Sequence, residues 1–240
     1  MYPTNYDRQP TTEDDERLDL DLWRWPLDVE SSTVEHARRM LSADEIRRAD
    51  AFVFDIDRAR FTIGRANLRQ VLSQYTAISP QKLVFEYNVH GKPRIMRHPI
   101  SFNLAHCEGW AAAVIAPAHH RRFALGIDIE RTRNMERQLA DGVFSAAEQQ
   151  VLAGLSAVVW SKAFFRIWNR KEAVLKALGT GLSVELASFD ATHEHVTVRV
   201  GEQIHTLTVN DFTPTVGFQG AIAVVGRLQE IKVHDRTLER

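Results

Sequence analysis

The chain has 240 residues, 44% of them apolar and 25% charged, with thirty basic residues against thirty-one acidic ones. That length is enough to bury a sizeable core in one large domain or two small ones. The near-neutral charge excludes the strongly basic composition of a nucleic-acid or membrane-surface protein, and the single cysteine, Cys107, excludes an internal disulfide.

Residues 1 to 17 carry Thr11, Thr12, Glu13, Asp14, Asp15 and Glu16 with no apolar run, and are expected as a solvated, disordered tail without the h-region of a signal peptide. Leu18, Leu20 and Leu22 alternate with Asp19 and Asp21, the pattern of a strand with one buried face, and Pro26 ends it. Ser42 followed by Glu45 predicts a capping box opening a helix. A second helix is expected from Asp57 to Tyr75, with Phe61, Leu68, Val71 and Leu72 on its apolar side.

After Ser79-Pro80, Leu83, Phe85 and Tyr87 alternate as a strand that runs into a turn at His90-Gly91-Lys92-Pro93. Strands are expected at 101–106, 110–116 and 123–130, the last preceded by a basic stretch, His119 to Arg122. The longest apolar run, Trp110 to Ala116, is too short to span a bilayer. Helices are expected at 144–155 and 158–178, with Gly179 ending the second as its C′ residue. Alternation returns at Val196 to Val200, Leu207 to Val209 and Ala221 to Val225. The segment from Gly109 to Ile115 echoes that from Gly217 to Ala223: a glycine, an aromatic residue, then small apolar residues. The echo allows two similar α+β halves packed side by side. The division expected is a tail at 1–17, halves at 18–118 and 119–228, and a C-terminal tail at 229–240.

The segment Gly126-Ile127-Asp128-Ile129-Glu130 places two carboxylates on one face of a strand, roughly 6.6 Å apart at Cα, with Ile127 and Ile129 on the other face. Adjacent carboxylates repel unless a cation sits between them, and oxygen ligands at this spacing suit Mg²⁺. A solvated acidic edge strand is the plainer alternative. In Trp168-Asn169-Arg170-Lys171-Glu172-Ala173-Val174-Leu175-Lys176-Ala177, Glu172 and Lys176 share a helix face, as an ordinary surface ion pair also would. Phe102-Asn103-Leu104-Ala105-His106 ends a strand on a histidine, and Gly91-Lys92-Pro93 presents a lysine at a turn. Arg47, Arg48, Arg58, Arg60 and Arg65 line two helical stretches, where arginines are commonly just solvated. Cys107 reads as a small apolar side chain rather than a nucleophile. No nucleotide-binding glycine loop, Cys/His zinc spacing or serine-nucleophile elbow is present.

Taken in order, Gly-Lys-Pro, Phe-Asn-Leu-x-His, Gly-Ile-Asp-Ile-Glu and Trp-x-x-Lys-Glu-x-x-x-Lys-Ala, followed by Gly-x-Gly-Leu at 179–182, resemble the 4′-phosphopantetheinyl transferases. The likeness is to the monomeric, two-half type that serves nonribosomal peptide and polyketide synthases, and it spans roughly residues 41 to 225. It implies two α+β halves related by pseudo-twofold symmetry, with coenzyme A in the cleft between them. It implies Mg²⁺ on Asp128, Glu130 and Glu172, with water completing the shell beside Ile129, and Lys176 on the coenzyme's diphosphate. Glu172 or a metal-bound water is then the base for the attacking serine. The resemblance also implies coenzyme phosphate contacts at Arg48, Arg60, Lys92 and His106. A departure lies at Ala105, where the family pattern has serine. The activity implied is transfer of the phosphopantetheinyl arm to an acyl, peptidyl or aryl carrier protein by a cytoplasmic monomer with no nucleic-acid or membrane partner. The alternatives weighed against it are a non-catalytic coenzyme A-binding regulatory module and a metal-dependent phosphohydrolase.

Overall fold

A computed structural model describes residues 17–117 and 123–238, apart from the side chain of residue 182. The expected tail therefore lies outside the described residues except for Arg17, which opens a strand, and the basic stretch His119 to Arg122 lies wholly outside them.

The first half is built on β1 (Arg17–Pro26), α1 (Ser31–Arg38), α2 (Ala43–Asp50), α3 (Asp55–Thr76), a short β2–β3 hairpin (Phe85–Tyr87 and Pro93–Ile95), β4 (Ser101–Cys107) and β5 (Trp110–Ala116). The second half holds β6 (Leu125–Arg131), α4 (Ala146–Ala153), α5 (Ala157–Leu178), β7 (His195–Val200), β8 (Gln203–Phe212), β9 (Phe218–Val225) and β10 (Glu230–Arg236). Two four-stranded sheets form, in the orders β10-β1-β5-β4 and β6-β9-β8-β7.

Period-two alternation explains the layering. On β1 and β5, Leu18, Leu20, Leu22, Ala112 and Val114 face inward and meet Leu125, Ile127, Ile129, Ile222 and Val224 of the second sheet, so the two sheets pack back to back. The alternate residues face outward. Trp23, Trp25 and Ile115 meet Leu68 and Leu72 of α3, and Ala221 and Ala223 meet Ala173 and Ala177 of α5. Each sheet thus carries a 22-residue helix on its outer face, and the expected α+β halves are present.

The capping box at Ser42 forms, with the Ser42 N–H donating to Glu45 at 3.0 Å. Gly179 closes α5 in the left-handed conformation, φ 68°. The expected C-terminal tail needs correction. Residues 230–236 are β10, which pairs in parallel with β1 in the register Leu18↔Ile231 and Leu20↔Val233. The chain end thereby belongs to the first sheet, and a boundary near 228 does not separate it from the core. Helix α1 was not expected either. It has no side-chain cap and buries only Ala37, so its sequence carries no helical signature, and it rests on α3.

Candidate active site

The site lies where α5 crosses β6. Gly126 makes the crossing possible: a methyl group there would overlap the main-chain carbonyl of Ala173 and the amide nitrogen of Ala177. With no side chain between them, helix and strand approach closely. The face of β6 that bears Asp128 is then brought beside the face of α5 that bears Glu172 and Lys176.

Asp128 is buried, and its Oδ1 accepts a hydrogen bond from Lys176 Nζ at 2.6 Å. Its Oδ2 is buried with no partner among the described residues. Burial pushes the Asp128 pKa up to about 6, with Lys176 opposing the rise and Glu172 and Glu130 adding to it. Burial likewise raises Glu172, again against Lys176 and with Glu130. Three neighbouring carboxylates, one with a bare buried oxygen, form an all-oxygen donor set that fits a hard divalent cation. They do not form a finished cage. Among the described residues, no three His, Cys, Asp or Glu side chains are grouped closely enough to hold a metal ion as they stand. Glu130 instead accepts from the Cys107 thiol at 3.3 Å and lies 3.6 Å from Arg133, while Lys176 occupies one oxygen of Asp128.

A cleft of about 270 Å³ opens beside this junction. The first half contributes His90, Lys92, Asn103 and Leu104 to its walls, and the second contributes Glu172 and Lys176. The size is near the lower end for a small-molecule site.

The remaining expected residues fall in different places. The imidazole of His106 reaches solvent, yet its packing, followed by the cations Lys176, Arg48 and Arg65, holds its pKa below the ordinary histidine value. Arg48 is exposed, with its guanidinium 5.2 Å from the centre of the Phe61 ring. Arg60 donates from its Nε and Nη2 to Asp28 at 2.6 and 2.9 Å, a bidentate pair that occupies two of its five N–H donors. Ala105 turns its methyl into the core between the sheets, away from the face that carries His106, so a side chain there would not reach a ligand beside the histidine. Lys92 Nζ donates to three main-chain carbonyls, those of Leu125 at 2.8 Å, Lys176 at 2.6 Å and Ala177 at 3.0 Å. An ammonium has three N–H donors, so none remains for the coenzyme phosphate expected there.

Two residues of the site were missed from the sequence. Asn103 Oδ1 accepts the Ile127 N–H at 2.9 Å, tying β4 to β6 across the halves. Asn88 accepts from the amides of His90 and Lys92 and donates to the Gly179 carbonyl at 3.0 Å. The Asn in Phe-Asn-Leu was visible as part of a motif. Nothing local marked Asn88.

Comparison with known proteins agrees with this geometry. The 4′-phosphopantetheinyl transferase superfamily matches residues 124–213, the half that carries Asp128, Glu130, Glu172 and Lys176. The 4′-phosphopantetheinyl transferase N-terminal family matches residues 25–119. The chain is 36% identical to the 4′-phosphopantetheinyl transferase HetI of Nostoc sp., over 69% of this chain and 70% of that protein. It is 31% identical to the 4′-phosphopantetheinyl transferase psf-1 of Bacillus pumilus, over 69% and 70%, and 27% identical to Sfp of Bacillus subtilis, over 68% and 70%. The crystal structure of Thermotoga maritima holo-[acyl-carrier-protein] synthase overlaps 43% of this chain and 63% of its own at 16% identity and TM-score 0.33, a likeness too slight to argue from. With matches across both halves and a relative at this identity over more than two thirds of each chain, the protein belongs to the 4′-phosphopantetheinyl transferase family.

Proposed function

We infer that this chain carries out its family's reaction in the cleft between its halves. A serine hydroxyl of an apo carrier protein attacks the β-phosphorus of coenzyme A. The phosphorus–oxygen bond to 3′,5′-ADP breaks, and the 4′-phosphopantetheinyl arm remains on the serine as a phosphodiester. The observation that carries this reading is the junction of β6 and α5, where buried Asp128 with its bare Oδ2 meets Lys176 beside the cleft that Glu172 lines. The readings as a phosphohydrolase or a non-catalytic binding module gain no support from the relatives.

Asp128, Glu130 and Glu172 would hold Mg²⁺, the cation their oxygens and mutual repulsion suit. When bound, it would neutralise the coenzyme's diphosphate and stabilise the departing phosphate. Phosphoryl transfer needs alignment and charge neutralisation more than covalent help. Lys176 supplies a fixed positive charge at the cleft wall, steered by its bond to Asp128. A Glu172 carboxylate oxygen takes the serine proton; burial raises its pKa and makes it a stronger base than an exposed glutamate. Arg48 and His106 receive the 3′-phosphate. Burial first, then the cations Lys176, Arg48 and Arg65, depress the histidine's pKa, and a bound anion relieves the repulsion among the cations. Both cleft walls come from one chain, so a monomer suffices. No described helix is long and apolar enough to cross a membrane. The balanced charge offers nothing to nucleic acid, and we place the enzyme in the cytoplasm with its carriers.

The test is mass spectrometry of apo acyl, peptidyl and aryl carrier proteins after incubation with the enzyme, coenzyme A and Mg²⁺. At least one carrier should gain the phosphopantetheine mass, and excess chelator should stop the gain. Asp128→Ala and Glu172→Gln should each remain folded and lose on the order of a hundredfold in rate. Unmodified carriers throughout, or full rates under chelation, would count against the reading and the metal respectively. His106→Ala should weaken use of coenzyme A more than of 3′-dephospho-coenzyme A; an equal loss would remove His106 from the 3′-phosphate.

A further inference from the structure

We propose that Lys92 is a positioning residue that fixes the catalytic end of α5 against β6, and that it is not a ligand of the coenzyme; the role rests on the transferase reading above. Helix α5 ends at Leu178, so its last four carbonyls have no partner within the helix. The Leu175 carbonyl accepts the Gly179 and Thr180 amides at 2.9 and 3.3 Å. Lys92 takes the next two, at Lys176 and Ala177. Its third N–H goes to Leu125, three residues before Asp128 on β6. One ammonium from the first half thus completes the helix end, lies at the negative pole of the helix dipole, and ties strand to helix where Lys176 meets Asp128.

The turn is built to deliver it. The Asn88 side-chain oxygen accepts from the His90 and Lys92 amides, at 3.0 and 2.8 Å, which fixes the turn. Its Nδ2 donates to the Gly179 carbonyl, which docks the turn on the end of α5. The glycines that follow the helix leave room: Gly179 packs near the Lys92 and Asn88 side chains, and Gly181 near the His90 ring, both at positive φ. Burial pushes the Lys92 pKa down to about 8. The three carbonyl oxygens, two of them at the helix C-terminus, oppose that shift by stabilising the charged form.

Without the ammonium, two carbonyls of the last turn lose their partner and the turn carrying Lys176 is free to shift against Asp128. A misplacement of about 1 Å at reacting groups costs on the order of a hundredfold in rate. The effect is therefore expected on turnover rather than on coenzyme affinity.

The experiment compares wild type, Lys92→Met and Lys92→Arg by steady-state kinetics with an apo carrier protein and coenzyme A. Lys92→Met, which keeps the aliphatic stem, should lower kcat by about ten- to a hundredfold and leave the KM for coenzyme A within about threefold. Lys92→Arg keeps the charge, but a flat guanidinium fork cannot reproduce three bonds converging on one nitrogen, so kcat should stay well below wild type. A phosphate ligand predicts the opposite: a rise of tenfold or more in KM for Lys92→Met, restored by Lys92→Arg. That outcome, or wild-type kinetics in both variants, overturns the proposal. A second measurement needs no variant to fold. Amine acetylation of the wild-type protein, mapped by mass spectrometry, should leave Lys92 unmodified with and without coenzyme A. Acetylation in the free enzyme that coenzyme A blocks would make Lys92 a ligand. Wild-type transfer activity is the control: if it is absent, the transferase reading fails, while the acetylation pattern still reports the bonds of Lys92.

Discussion

Asp128 sits where its own charge is disfavoured. Burial lifts its pKa to about 6 from an ordinary 3.8, and the bond from Lys176 offsets only part of this. Between those two values the folded chain holds a proton that the unfolded chain has released. The group's contribution to stability is therefore full below about pH 3.8 and is lost as pH rises through about 6. At pH 7.5 the metal-free protein carries a strained carboxylate costing up to about 3 kcal/mol. Asp128→Asn, melted with chelator present at pH 7.5, should match or exceed the wild-type Tm, by about 2–4 °C for each kcal/mol relieved, although it abolishes transfer. Adding Mg²⁺ should raise the Tm of wild type and not of the variant; a variant that melts well below wild type would show that the acid holds the fold together. Cys107 behaves in a related way. Burial first, then Glu130, lifts its thiol to about 11 while the Arg131 amide opposes the shift. Iodoacetamide at pH 7.5 should modify it at least about a hundredfold more slowly than an unhindered free thiol. Rapid alkylation would place the thiol in a different environment.

Helix α5 is the element on which the site depends, and its seat is unusually demanding. Gly126 admits it to β6. On its other side, Lys171 and Glu148 form a wholly buried ion pair at 2.8 Å. Lys171 also donates to the Leu186 and Phe189 carbonyls, and Glu148 accepts from the Ser145 and Ala191 amides. Losing one partner leaves a buried charge unpaired. Lys171→Met should cost roughly 3–5 kcal/mol in urea denaturation, whereas Gly126→Ala should cost about 1–3 kcal/mol through the forced separation of helix and strand. A loss below 1 kcal/mol for Lys171→Met would mean Glu148 is protonated or hydrated in the fold. Much of this helix was legible beforehand. The stripe through Phe164, Trp168 and Leu175 repeats at helical spacing, and Gly179 marks the end. The role of Lys171 was not legible, because Glu148 is a neighbour only once α4 has docked.

At the scale of the whole molecule, β10 closes the chain onto its own beginning. Arg236 donates to Asp21 Oδ1 at 2.7 Å, Tyr75 donates to Oδ2 at 2.6 Å, and Trp23 donates to the Tyr75 hydroxyl at 2.8 Å. His234 lies 2.6 Å from Asp19. The strand covers an edge of β1 that would otherwise be open to pairing with another chain. Deleting residues 229–240 leaves buried Asp21 without its arginine. The deletion should lower stability by on the order of 3 kcal/mol or more and promote concentration-dependent association, readable by urea denaturation and light scattering. An unchanged, monodisperse protein would make β10 dispensable.

The sequence by itself determined what depends on near neighbours. Alternation placed Asp128 and Glu130 opposite Ile127 and Ile129, helical spacing placed Glu172 beside Lys176, and the order of motifs pointed to the family. Tertiary structure alone decided what each lone polar group faces. It turned Lys92 onto the end of α5, Arg60 onto Asp28 and Ala105 into the core, left the three acids short of a closed cage, and drew β10 across to β1. The physical reason is range. Side-chain periodicity is set by backbone geometry over a few residues, whereas the partner of a buried charge or an unpaired strand edge is supplied by segments distant in sequence that meet only when the core closes.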